Sequence, residues 1–194
     1  MGGGSSGMRQ KNSHHPSSLT RTGDKSAPPD RRDDGIAPPC LDPSEAMSCA
    51  LEAAREAALR GEVPVGAIVL GADGQVLACA SNEVEQRVDP SAHAEILAMR
   101  EAARVLGSRS LASCTLVVTL EPCPMCASAM THFRLGRVIY GAYDPKGGGV
   151  DHGPRIFEQP ACLHRPEVIG GVREHENAEL LKKFFMTLRE SRAS

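Results

Sequence analysis

The chain reads as an α/β domain in which a mixed central sheet is sandwiched between helices, behind an irregular N-terminal tail. Three observations predict this. Stretches with apolar residues at helical spacing alternate with short, wholly apolar runs. The first two apolar runs flank a Gly-rich turn, so the sheet opens as an antiparallel hairpin. The later runs alternate with helical segments, which requires parallel crossovers and a three-layer α/β/α stack of about five strands. The length of 194 residues suits one such domain plus a tail.

Residues 1–41 are rich in Gly, Ser, Pro and charge, with isolated apolar residues only. "MGGGSSG" resembles a flexible linker, and "SAPPDRRDDGIAPP" cannot sustain a helix. Such a segment buries too little apolar surface to offset its ordering entropy, and is expected to be disordered. Met1–Gly23 contains no acid, as in organelle transit peptides, but lacks their amphipathic Arg face. The domain is expected to span 42–194.

It opens with "DPSEAMSCALEAAREAALRG" (42–61). Asp42 is a natural N-cap, Pro43 suits the first helical position, and Glu45 completes a capping box. Met47, Ala50, Leu51, Ala54 and Ala58 form one stripe, and Gly61 is the stop. "VPVGAIVL" (63–70) reads as a buried strand, Gly71–Gly74 as a turn and Gln75–Ala80 as the returning strand. Ser81–Pro90 reads as a polar loop. A helix then runs from "SAHAEILAMR" to about Gly107, and "CTLVVTL" (114–120) is the most strand-like run. "PMCASAMTHFRLG" (124–136) predicts a short helix, "RVIYGAY" (137–143) a strand and "PEVIGGV" (166–172) a last short strand. Gly147–Pro166 is a long loop. "REHENAELLKKFFMTLRES" predicts a terminal helix with Leu180, Leu181, Phe184, Phe185 and Leu188 near its apolar face.

Composition removes some functions. The net charge of −2 gives no global attraction to nucleic acid, so an RNA partner must meet a local basic patch, and DNA is not expected. No apolar run approaches the roughly 20 residues of a membrane span, and no secretory signal is evident. Seven cysteines, two of them in one C-x-x-C, favour metal or redox use over a disulfide framework, in a cytoplasmic setting.

The chemistry concentrates in two places. Cys123 and Cys126 lie where a strand gives way to a helix, whose N-terminus favours the metal-binding thiolate. Four protein ligands would make a structural zinc site, but no second C-x-x-C exists. Three ligands and an open position make a catalytic one, and His93, also at a helix start, is the natural third. Glu95 then follows. It is close enough to reach a water that zinc has brought to a pKa near ~7, and it can shuttle that water's proton to a ring nitrogen and a leaving amine. A thioredoxin-like couple would leave His93 and Glu95 unexplained. His-Ala-Glu followed downstream by Pro-Cys-x-x-Cys is the signature of the zinc nucleobase deaminases.

From Asp42 to about Arg189 the chain resembles the tRNA-specific adenosine deaminases of bacteria, the TadA family. "GEVPVGAIVL", "SNE", "DPSAHAEILAMR", "LVVTLEPCPMCASAM", "GRVIYGAYDPK" and "ELLKKFF" carry the resemblance. It implies a cytidine deaminase-like fold, a homodimer, and one Zn2+ per subunit on His93, Cys123 and Cys126, with Glu95 as the catalytic proton shuttle. It implies that Asn82 hydrogen-bonds a flipped-out base, with the Ala94 backbone amide and the wall near Val63 completing the pocket. Asp144 and Lys146 match loop positions that approach the substrate strand. The implied reaction converts the wobble adenosine of a tRNA anticodon loop to inosine, on a base already unstacked.

The chain departs from the family after Phe184-Phe185, where arginines usually follow: it reads Met186, Thr187, Leu188, with only Arg189 in place. Ser81 stands where a large or aromatic residue is common, and Glu83 adds negative charge beside Asn82. Guanine deaminases and other free-base or nucleoside deaminases share the same zinc motif and need no phosphate-binding surface, so a small-molecule substrate is the alternative. A non-catalytic partner subunit would typically lack the carboxylate that Glu95 provides.

Overall fold

Asp42 starts the first helix as expected. Its side chain accepts the N–H groups of Ser44 (2.8 Å) and Glu45 (2.9 Å), while Glu45 Oε2 accepts the Asp42 N–H (2.9 Å). In the computed structural model, which describes residues 1–3 and 40–193, this helix is α1, Pro43–Leu59. The tail expected over 1–41 falls almost wholly outside the described residues; within it, Cys40 forms an isolated bridge with Gln75.

The strands are β1 (Gly66–Leu70), β2 (Val76–Ser81), β3 (Thr115–Leu120), β4 (Arg137–Ala142) and β5 (Glu167–Ile169). The helices after α1 are α2 (Val84–Arg87), α3 (Ala94–Leu106), α4 (Pro124–His132) and α5 (Glu174–Ala193). The sheet order is β2-β1-β3-β4-β5. β1 pairs antiparallel with both β2 and β3, and β3, β4 and β5 run parallel. The expected mixed sheet of five strands is therefore present, with α3 carrying the chain from β2 across β1 to β3.

Side chains alternate across each strand, so the sheet feeds two cores. Leu116, Val118, Val138 and Tyr140 pack with Met99 of α3 and Met130 of α4. Ile68, Val117 and Ile139 face the other way, onto Met47 and Leu51 of α1 and Leu180 of α5. With no Trp and few aromatics, these layers close on small residues. A Cβ at Gly66 would lie 2.0 Å from the Ala50 carbonyl oxygen, so α1 rests directly on the β1 backbone.

Several boundaries differ from expectation; β5, expected over 166–172, spans only Glu167–Ile169, and the long loop before it holds a 3-10 turn at Ile156–Glu158. β1 begins at Gly66 rather than Val63, because Pro64 has no N–H for the ladder. The polar loop after β2 holds one short helical turn, α2. α4 ends at His132, before the left-handed Arg134 (φ 52°).

Candidate metal centre and active site

The parallel strands end on one edge of the sheet, and that edge carries the site, as open α/β sheets favour. Asn82 follows β2, Glu121 follows β3 and Asp144 lies just past β4. His93 and Cys123 occupy the N-cap positions of α3 and α4, yet neither side chain caps its helix. Both are left available for another partner, and Cys126 joins them from the first turn of α4.

His93 Nδ1 lies 3.6 Å from Cys123 Sγ and 3.5 Å from Cys126 Sγ, and all three donor atoms fall within 4.8 Å of one another. Tetrahedral zinc with bonds of about 2.3 Å to sulfur and about 2.0–2.1 Å to nitrogen places those two ligand atoms about 3.5 Å apart. The donor set and spacing fit zinc, and among the described residues this is the one group of three or more metal-ligating side chains so disposed.

The electrostatics favour a thiolate at Cys123. Hydrogen bonding with Cys126, reinforced by His93, takes the Cys123 thiol down to about 4 against the opposing effect of burial. Cys126, the other partner in that bond and fully buried, is pushed up. The hydrogen bond to Cys123 raises His93. Burial raises the carboxyl of Glu95, which is only 4% exposed. A buried carboxyl whose pKa is raised can both take up and return a proton.

Val63, Asn82, His93, Glu95, Cys123 and Asp144 line one cleft of about 550 Å³. The structure thus brings together most of the sequence-predicted site. Cys126 lies beneath the cleft, fully buried. Ala94 is also buried, and its N–H donates to Asn82 Oδ1 at 2.9 Å. Asn82 therefore supplies the missing cap of α3, and its Nδ2 is the donor left for a ligand. Lys146 sits outside the cleft on the exposed side of the loop, its N–H donating to Asp144 Oδ1 (3.1 Å). Glu83 is paired with Arg87, so its charge beside Asn82 is partly neutralised.

Other lining residues carried no functional prediction. Phe184, Phe185 and Leu188 of α5 form an apolar wall. Glu62 is buried and accepts the Gln86 N–H (2.9 Å), tying α2 to the turn before β1. Glu121 is buried as well. Burial pushes its carboxyl up, but donors from Asp144, His152 and Asp151 together outweigh this and hold it below the ordinary range. The available signal was a carboxylate directly abutting an apolar run, in "GEVPVG" and "VTLEPC".

The fold and the donor set define a zinc-binding deaminase. Residues 42–142 match the family model of the cytidine and deoxycytidylate deaminase zinc-binding region. Within that class the chain belongs to the family of the tRNA-specific adenosine deaminases. It is 48% identical over 139 residues to the tRNA-specific adenosine deaminase of Agrobacterium fabrum, covering 72% of this chain and 91% of that protein. A solved tRNA:A34 deaminase, studied for A-to-I editing at the wobble position, is similar at 47% identity and a TM-score of 0.69, covering 71% and 99% of the two chains. A guanine deaminase from Nitrosomonas europaea shares the fold at 23% identity and a TM-score of 0.67, covering 76% and 87%.

Proposed function

We propose that this chain deaminates the wobble adenosine of a tRNA anticodon loop to inosine. One observation carries the reading: a buried carboxylate, Glu95, lies in the same cleft as the His93–Cys123–Cys126 trio, under a wall set with the hydrogen-bonding Asn82. The similarity to tRNA-specific adenosine deaminases over most of their length supports the choice of substrate.

His93, Cys123 and Cys126 would hold the zinc, which when bound supplies Lewis-acid activation of a water at neutral pH. Glu95 takes a proton from the attacking water and delivers it to N1 of the purine as the oxygen adds to C6. It then carries the water's second proton to the departing amine. The C6–N bond breaks, ammonia leaves and C6 becomes a carbonyl, so adenosine and water give inosine and ammonia. Asn82 orients the base through Nδ2, Val63 and the α5 aromatics exclude water, and Asp144, with Lys146 beside it, faces the RNA strand. The protein acts as a homodimer in the cytoplasm; the half-exposed Met125, one residue from Cys126 on α4, offers apolar surface for a second copy. Among the described residues no helix is long and apolar enough to cross a membrane.

The test is to incubate the zinc-loaded protein with an anticodon stem-loop carrying adenosine at the wobble position and to measure inosine. The reading expects inosine at that position alone; deamination of adenosines elsewhere in the loop, or none, refutes it.

A further inference from the structure

Glu121 lies two residues before Cys123, just past β3, with a side chain closed to solvent. One loop saturates its carboxylate. Oε1 accepts the N–H groups of Val150 (3.2 Å), Asp151 (2.9 Å) and His152 (2.9 Å). Oε2 accepts the Asp144 N–H at 3.0 Å and lies 2.7 Å from His152 Nδ1. The two oxygens thus gather both ends of the segment 144–152.

The segment is shaped around this anchor. A Cβ at Gly148 would lie 2.4 Å from Glu121 Oε1 and 2.6 Å from the Asp144 carbonyl oxygen, so no larger residue fits beside the carboxylate. Gly149 donates its N–H to the Pro122 carbonyl (2.8 Å), and the Tyr140 hydroxyl donates to Asp151. Several backbone donors converging on one buried point require a group that only accepts, which an ionised carboxylate is and an amide is not. Burying that charge is tolerable only with such partners.

We propose that Glu121 is a positioning residue for the substrate strand: it fixes Asp144 and, through the Gly147 N–H that donates to Asp144 Oδ1 (3.0 Å), the cleft-lining Gly147 against the strand-to-helix junction Pro122–Cys126, and so sets the place of the RNA relative to the metal centre. The inference rests on the tRNA reading above, under which Asp144 meets the substrate. Glu121 touches no reacting atom, so its loss acts on substrate placement and leaves proton transfer in place.

Glu121→Gln puts an NH2 group beside donors that one of the oxygens now accepts. We expect KM for the stem-loop to rise about tenfold with kcat within about threefold of wild type and zinc content unchanged. Asp144→Ala should raise KM similarly, and adding E121Q to it should change KM by less than about twofold, because the two act through one loop. Gly148→Ala, which displaces the carboxylate without changing charge, should reproduce the KM effect and serves if E121Q fails to fold. A fall in kcat at constant KM, or additive effects in the double variant, overturns the proposal and leaves the tRNA reading standing. Absence of stem-loop turnover by wild type refutes that reading instead. The anchor is then read by hydrogen exchange at Asp144 and His152, which E121Q should accelerate by about tenfold or more and which unchanged rates would contradict.

Discussion

Glu95 is two residues from His93, buried in the cleft and outside the donor trio, and under the proposed function it serves the water rather than the metal. Glu95→Ala is expected to keep zinc at wild-type stoichiometry while turnover falls by about 100- to 10,000-fold, the contribution of a positioned acid–base group. Metal analysis beside a rate measurement checks this; loss of zinc with activity would place Glu95 among the ligands. The zinc centre was legible because His, Glu and paired Cys at those spacings have few other uses on apolar helix starts. Glu62 and Glu121 were not legible as site residues. A carboxylate at either end of an apolar run ordinarily meets solvent, and only the packing of α2 and of the 144–152 segment buries these two. Asn82 was read as a base-binding amide, but its bond to the Ala94 N–H belongs to tertiary structure that spacing does not reveal.

Among the elements, α1 and α5 cover one face of the sheet and α3 and α4 the other. Gly66→Ala should be severely destabilising, by about 3 kcal/mol or more, because its Cβ would meet the α1 backbone rather than a movable side chain. Chemical denaturation measures it; a loss below about 1 kcal/mol would mean that α1 can lift off β1 freely. α5 reaches the cleft through Phe184, Phe185 and Leu188, and Phe185 is 42% exposed. Phe185→Ala should therefore leave the melting temperature almost unchanged while raising KM for the stem-loop about 5- to 150-fold, the range that base–aromatic stacking of about 1–3 kcal/mol implies. An unchanged KM would remove α5 from the substrate wall. Long periodic elements such as α1 and α3 were read from sequence to within a residue or two. The four residues of α2 are too few to show a period, and Pro64 shifts the start of β1 in a way that an apolar run conceals.

At the scale of the molecule, His93 from α3 and Cys123 and Cys126 from α4 join two segments separated by the whole of β3. Chelation should abolish activity and lower the melting temperature, and zinc should restore both, since a ligand bound only by the folded state stabilises it. Equal melting temperatures with and without zinc would show that the folded chain does not bind zinc in preference to the unfolded one, and would contradict a zinc site at this trio. The net charge of −2 and the sparse arginines after Phe185, where Met186, Thr187 and Leu188 precede Arg189, make the substrate the deciding question. The most direct measurement is a side-by-side deamination assay of the zinc-loaded protein on an arginine-tRNA anticodon stem-loop with adenosine at the wobble position, and on free guanine, adenosine and cytidine. Inosine in the stem-loop and no product from the small molecules is the expected result. Turnover of guanine or a nucleoside with an untouched stem-loop would contradict it, leaving the zinc chemistry in place and the substrate misread.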